Sequence, residues 1–354
     1  MKSFLILEDG TSFSGERFGA ETTATGELAI QTGNHGYQEA LTDPTNAGKI
    51  LVFTTPIIGT SGINAINYEA INPKVRGIIA NDIAWQITTH ENFQDLGRFL
   101  EEKRVPAIWG VDTRALVHKL AQKNVIKASI MDTDDQHAFD QIKALVLPKN
   151  KTSQVSTGSA YAAPNIGQTV AIIDLGLKHS LLRALSLRKI NCLVMPYDTT
   201  VQDIYDLRPD GLILSNGPGS VSEVKTALTA ILKTFYGKIP IMGIGLGFLI
   251  LSDYLNFKLT PLNPPFNGNN YPVIETKTSQ IWQTAMNIQK LVSGPDLTDD
   301  LTQTYFELHT HLLAGFTSQE NKLIATAFNP EGSPGSFAAR GIYDQFLKMM
   351  EMSR

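Results

Sequence analysis

From Thr169 onward the chain alternates continuous apolar runs with amphipathic helical patterns: TVAIID, LKHSLLRALSLR, INCLVMP, VQDIYDL, GLILS, a glycine turn, VKTALTAILKTFY and IPIMGI. A run that is apolar at every position fits a strand buried on both faces, and helices spaced between such strands provide the cover. This half therefore predicts an α/β domain with a mainly parallel sheet flanked by helices. Ligands bind such sheets outside the carboxyl ends of the strands. Two loops there stand out: LSNGPGS (Leu214 to Ser220) and GIGLG (Gly243 to Gly247). The second joins an apolar strand to an apolar helix through a tight Gly-x-Gly turn, the form of an elbow that lifts a Ser or Cys nucleophile into a pocket. At its apex stands Gly245, which has no side chain to attack anything.

The first 150 residues read differently. Short β-like runs (Phe4 to Leu7, Ile50 to Phe53, Gly77 to Ala80, Ala107 to Gly110) alternate with turn clusters and a few helical patterns, which predicts an α+β domain. Its clearest helices are Asn92 to Lys103 and the RALVHKLAQK segment opened by Asp112 and Thr113, where the carboxylate can cap the first turn. Residues 151–168, within the polar stretch Lys149 to Gln168, lack periodic apolar positions and are expected to connect this domain to one spanning 169–354.

With 354 residues and 42% hydrophobic content, the chain can bury two full cores. A formal net charge of -4, with no polybasic run, favours neither nucleic acid nor an anionic membrane as partner. The apolar run before Glu8 is only four residues long, Phe4 to Leu7, too short for a signal-peptide core, and no stretch approaches a membrane span, so the cytoplasm is the expected location. The lone cysteine, Cys192 in INCLVMP, excludes an internal disulfide and is expected to be a small buried strand residue. His309 and His311 in FELHTHLLAGF alternate as if on one strand face; without a third ligand at suitable spacing they predict no metal site.

The combination of motifs is more specific than any one of them. LSNGPGS after one strand, the elbow after the next, and Asn329-Pro330-Glu331 before a C-terminal helix together resemble a class I glutamine amidotransferase domain, whose corresponding motifs are a Gly-Pro-Gly oxyanion loop, a Gly-Ile-Cys-Leu-Gly elbow and a His-Pro-Glu segment. The N-terminal segments LEDGTSFSGERFGA, GELAIQTGNHGYQEALTDPTNAGKI, TTPIIGTSGIN and WGVDTRALVHKL narrow this, and with EGSPG (Glu331 to Gly335) they resemble the carbamoyl-phosphate synthase small subunit over essentially the whole chain.

That resemblance implies a cysteine nucleophile, a histidine that activates it and protonates departing ammonia, and a glutamate that orients the histidine. The matching positions are Gly245, Asn329 and Glu331, so only the orienter remains. Asn329 cannot take a proton near neutral pH, and none of the seven histidines (His35, His90, His118, His137, His179, His309, His311) falls in the Asn-Pro-Glu segment. Family positions for glutamine binding map onto Gly33, where a pocket serine is expected, the backbone of Gly217, Gly219 and Leu246, and Leu249, Asn287, Gln289 and Lys290. Phe248-Leu249 stands where the family elbow continues with His-Gln, which replaces hydrogen-bonding groups with apolar bulk.

The resemblance thus implies a small subunit whose own glutaminase is inactive, paired with a large synthetase subunit. That partner would hold ATP and bicarbonate and make carbamoyl phosphate for arginine and pyrimidine synthesis, and this chain would need no cofactor. Two alternatives stay open: an active glutamine-hydrolysing subunit using non-standard residues, and a stand-alone, non-enzymatic metabolite-binding module. For the first, Ser215, Ser220 and Ser222 near the glycine turn and His179 at the same sheet edge are the candidates. Serines beside a turn or helix start ordinarily cap backbone amides, and no base is placed beside these by the sequence.

Overall fold

The computed structural model describes residues 1–85, 93–120, 127–133, 136–148, 150–293 and 300–353. Asn92 as the expected start of one helix, residues 121–123 at the end of another, Lys149, His90 and the side chain of His137 lie outside the described residues. The chain divides into two compact units, Met1–Pro148 and Lys149–Arg354.

The strands of the first unit are β1 (Lys2–Leu7), β2 (Ser12–Gly19), β3 (Ala24–Gln31), β4 (Lys49–Phe53), β5 (Ile57–Ile58), β6 (Gly77–Ile79), β7 (Asp82–Ile83), β8 (Pro106–Trp109) and β9 (Lys127–Met131). β5 and β7 pair with each other; the others close into a barrel in the order β1-β2-β8-β6-β4-β3-β9, with β9 antiparallel to β1. Side chains alternate across these strands with the period of two that β geometry imposes. Leu5, Leu7, Ile50, Val52, Ile79, Ile108 and Ile130 gather in one core cluster. Their neighbours Leu51, Phe53, Ile78 and Ala107 belong to a second, with Leu96, Phe99 and Leu100 of α2 (Leu96–Glu102), the helix that follows α1 (Tyr37–Thr42). Asp95 caps α2 by accepting the Arg98 amide at 2.8 Å. Asp112 similarly accepts the Ala115 amide at 2.9 Å and opens α3 (Thr113–Leu120), which precedes α4 (Gln136–Ala144).

In the second unit the strands are β10 (Tyr161–Ala163), β11 (Thr169–Asp174), β12 (Asn191–Pro196), β13 (Gly211–Leu214), β14 (Ile241–Ile244), β15 (Leu259–Glu275), β16 (Ile281–Val292), β17 (Thr302–Glu307), β18 (Leu313–Ser318) and β19 (Leu323–Thr326). They form one sheet in the order β10-β12-β11-β13-β14-β19-β18-β16-β15-β17. From β12 to β19 the neighbours are parallel, as the apolar runs require; beyond β19 the pairing turns antiparallel. The helices are α5 (His179–Ser186), α6 (Val201–Leu207), α7 (Val221–Phe235), α8 (Leu246–Tyr254) and α9 (Gly341–Glu351). Strand order reverses around β11, and the loops that follow β11, β13, β14 and β19 leave from the same edge of the sheet.

Residues expected to connect the domains are built into this second unit. Glu223 accepts the Lys151 and Thr152 amides at 2.9 and 3.3 Å, Asp174 accepts the Thr157 amide at 2.7 Å, and β10 pairs antiparallel with β12. Small polar residues lack the periodicity of a core element, yet they satisfy the half-buried Glu223 and buried Asp174 carboxylates and extend a sheet edge. His309 and His311 do not share a strand face: β17 ends at Glu307, and both lie exposed in the following turn, with His311 at φ 55°. Glu307 accepts both the backbone amide and the hydroxyl of Thr310 at 2.7 Å, which closes that turn. Among the described residues no group of three or more His, Cys, Asp or Glu side chains could hold a metal ion.

Phe248 is fully buried in α8, with its ring 5.5 Å from that of Phe316. Its size therefore serves the core under the sheet. Phe248→Ala is expected to cost about 3–5 kcal/mol in urea unfolding of the whole chain.

Candidate functional site

Three chain segments converge at the carboxyl ends of β13, β14 and β19. β13 runs into Ser215-Asn216-Gly217, β14 into Gly245, and β19, through Ala327 and Phe328, into Asn329-Pro330-Glu331. Gly245 is the hinge of the elbow. Its N–H donates to the Thr326 carbonyl at 2.8 Å, tying it to β19, and its own carbonyl accepts from Leu249 at 3.1 Å, beginning the hydrogen bonds of α8. Its backbone has φ 55° and ψ -105°, a conformation that glycine adopts freely and residues with a Cβ adopt only under strain.

The space in front of Gly245 is filled. A Cβ built there would lie 2.1 Å from Asn216 Oδ1 and 2.2 Å from Asn216 Cγ. Asn216 Oδ1 accepts two backbone N–H groups, from Gly217 at 2.8 Å and Leu246 at 3.0 Å. Both are donors, so the atom they share is the amide oxygen, which turns Nδ2 toward Asn329. Nδ2 donates to Asn329 Oδ1 at 3.0 Å, and the Asn329 backbone N–H donates to the Ala285 carbonyl of β16 at 2.9 Å. Asn216 is 4% exposed and Asn329 3%, so these bonds are made away from water. Gly217 allows this approach, since a Cβ on it would stand 1.9 Å from the Leu175 carbonyl oxygen.

Glu331 is held elsewhere. The Tyr343 hydroxyl of α9 donates to its Oε2 at 2.7 Å, and the Lys178 ammonium lies 3.7 Å from its Oε1, with both charged side chains 2% exposed. Lys178 Nζ also donates to the Ser333 carbonyl, and Arg340 Nε donates to the Glu331 carbonyl at 3.0 Å. Lys178 reaches this place because Asp174, at the end of β11, accepts the Gly176 and Leu177 amides at 2.9 and 2.7 Å and turns the chain there. Burial raises the Asp174 carboxyl above its ordinary range in spite of these bonds. Burial, then the neighbouring Glu331 charge, pushes the Tyr343 hydroxyl well up, so it stays protonated and acts as a donor.

Of the residues singled out by resemblance, Gly245, Gly217, Leu246 and Asn329 come together around the Asn216 carboxamide. Gly219 sits against Thr152 and Glu223, and Leu249 is buried in α8. Asn287, Gln289 and Lys290 lie on β16 beyond Ala285, with Gln289 and Lys290 exposed. Gly33 lies in the first unit, after β3, with its carbonyl accepting the Thr55 hydroxyl at 2.9 Å. The candidate replacement nucleophiles have structural tasks. Ser215 is fully buried, donates to the Asn216 carbonyl and accepts the Leu175 amide, both at 2.9 Å. Ser220 forms a capping box with Glu223 at the start of α7, and Ser222 pairs with Ser220 at 2.9 Å. Sequence reasoning overlooked Asn216, Lys178 and Tyr343. Asn216 was visible as the polar residue beside a glycine turn opposite an apex without a side chain, and Lys178 as a lone cation in the apolar stretch that follows β11.

Residues 171–349 match the family model for glutamine amidotransferase class-I, and the elbow and loops just described lie within that span. The second unit is therefore a class I glutamine amidotransferase-type domain. Residues 5–130 match the carbamoyl-phosphate synthase small chain, CPSase domain. Proteins named carbamoyl phosphate synthase small chain align along the full length. The one from Streptococcus pyogenes serotype M18 is 39% identical over 355 residues, covering 100% of this chain and 98% of that relative. Those from Streptococcus mutans and Lactococcus lactis subsp. lactis are each 38% identical over 352 residues, covering 99% of this chain and 97% and 98% of those relatives. The chain belongs to the carbamoyl-phosphate synthase small-chain family.

Two outcomes follow from these surroundings. Lys178→Met leaves the Glu331 carboxylate buried without its cation and is expected to cost about 3–5 kcal/mol in denaturant unfolding, whereas Lys178→Met with Glu331→Leu costs less than that. Cys192 is 1% exposed in β12, and burial pushes its thiol up to about 12. Iodoacetamide at pH 8 is expected to label Cys192 only after denaturation. Because the folded state holds this proton more tightly, the Cys192 contribution to stability is intact below pH 9 and is lost as the pH rises toward 12.

Proposed function

We propose that the chain is the small subunit of a carbamoyl-phosphate synthase in which glutamine hydrolysis at this site has been lost. The observation that carries the reading is Gly245 at the apex of the elbow, with no nucleophilic atom and with the Asn216 carboxamide in the space before it. Asn329 at the position of the general base adds a second, separate loss, because a carboxamide takes no proton near neutral pH. Glu331, at the position of the orienting carboxylate, is engaged by Lys178 and Tyr343. Thiolate attack on an amide carbon needs a nucleophile and a base within hydrogen-bond reach of each other, and neither group is present at 245 or 329.

In this reading the subunit has a structural or regulatory role. It stabilises a large synthetase subunit, which binds ATP and bicarbonate, and shapes its ammonia entrance, while free ammonia supplies the nitrogen. Carbamoyl phosphate for arginine or pyrimidine synthesis is the product, and the cytoplasm the location. The match of residues 5–130 to the small-chain domain supports retention of the pairing half of the molecule. Among the described residues no helix is long and apolar enough to cross a membrane.

The test is carbamoyl-phosphate formation by the chain co-purified with the large subunit from its source, with glutamine or ammonium as sole nitrogen donor. Activity with ammonium alone is expected, and activity with glutamine would overturn the reading. Gly245→Cys by itself is expected to leave ammonia release from glutamine at background, since Asn329 cannot activate the new thiol.

A further inference from the structure

We propose that the Asn216 side chain is the resident ligand of this pocket: a carboxamide from the chain itself that fills both the volume of the missing side chain at 245 and the amide subsite a substrate would need. The proposal rests on the reading above of the site as a glutaminase-type pocket without activity, and it identifies what closes it.

Two backbone N–H groups that converge on one oxygen, Gly217 at 2.8 Å and Leu246 at 3.0 Å, form the arrangement that stabilises an oxyanion when a carbonyl is attacked. Leu246 is the first residue of α8 and Gly217 lies outside every helix and strand, so neither N–H has a partner within its own element. Without the carboxamide, the two donors would have to be satisfied by water or left unpaired at a cost in stability. The Asn216 carbonyl satisfies both donors, and its NH2 group is bonded to Asn329 Oδ1. The same amide lies 2.1 Å from where a Cβ on residue 245 would begin. A side chain at 245 and Asn216 in this rotamer therefore exclude each other, so glycine at 245 is the condition for the occupancy. An amide from solution would have to displace one that is covalently attached and pays no cost of association, so the pocket is closed to free glutamine.

A thermal-unfolding cycle tests this with Gly245→Ala, Asn216→Ala and the double variant. Gly245→Ala loses melting temperature through backbone strain at φ 55° and through the clash with Asn216. In the Asn216→Ala background only the strain remains. The loss in the double variant is expected to be smaller than the sum of the two single losses, and additive losses would overturn the proposal. A second measurement needs no variant. The Gly217 and Leu246 amides of the wild-type chain are expected to exchange hydrogen as slowly as those of β13 and β14, and exchange at the rate of exposed loop amides would overturn it. The proposal and the functional reading fail separately: glutamine-dependent synthesis by the wild-type complex removes the reading, whereas additive losses remove the Asn216 occupancy even where only ammonium supports synthesis.

Discussion

Burial of both faces of the parallel strands β12, β11, β13, β14 and β19 is the constraint on which the second unit depends. Val170 to Ile173, Leu212 to Leu214 and Ile241 to Ile244 present no polar side chain to either side, so helices must cover both faces and the polar backbone must be satisfied within the ladder. Once those strands lie side by side, the first places where the chain can leave the sheet are its strand ends. Asn216, Gly245 and Asn329 are distant in sequence and meet because β13, β14 and β19 are successive neighbours.

At that edge the ruling requirement changes from burying apolar surface to pairing polar groups. Asn216, Asn329, Glu331 and Lys178 are all nearly inaccessible to water, and each is held by a partner of opposite hydrogen-bonding sense or charge. The Gly217 and Leu246 amides and the Glu331 carboxylate are all engaged by the chain's own side chains. Such a network rigidifies the loops that make it, since each member is costly to leave unpaired. Glycine at 245 is thus compatible with a well-packed network at the strand ends, since a Cβ there would meet the Asn216 carboxamide.

Much of this was legible from residues alone. The apolar runs announced the parallel sheet, the Gly-x-Gly turn announced the elbow, and Asp112 announced the cap of α3, because each depends on local periodicity or on a side chain bonding to backbone a few residues away. Closure of the first unit into a barrel was not legible: it depends on β1 pairing with β9, and alternation along one strand does not specify a partner more than a hundred residues distant. The alternation of His309 and His311 misled for a related reason. A period of two marks a strand only while the ladder continues, and here Glu307 turns the chain first. The polar stretch 151–168 read as a connection because edge strands and carboxylate contacts need no apolar period.

The amino-acid sequence by itself determined which side-chain groups positions 245 and 329 can offer. Gly245 offers no nucleophile and Asn329 no base, whatever surrounds them, because the limit lies in the atoms of the residues. Only the tertiary structure decided what stands in their place. The Asn216 carboxamide meets Gly217, Leu246 and Asn329 through strand neighbours brought together by the sheet, and Glu331 meets Lys178 and Tyr343 through the turn after β11 and helix α9. Hydrogen bonds between such distant positions depend on distance and direction in space, and no spacing along the chain encodes those.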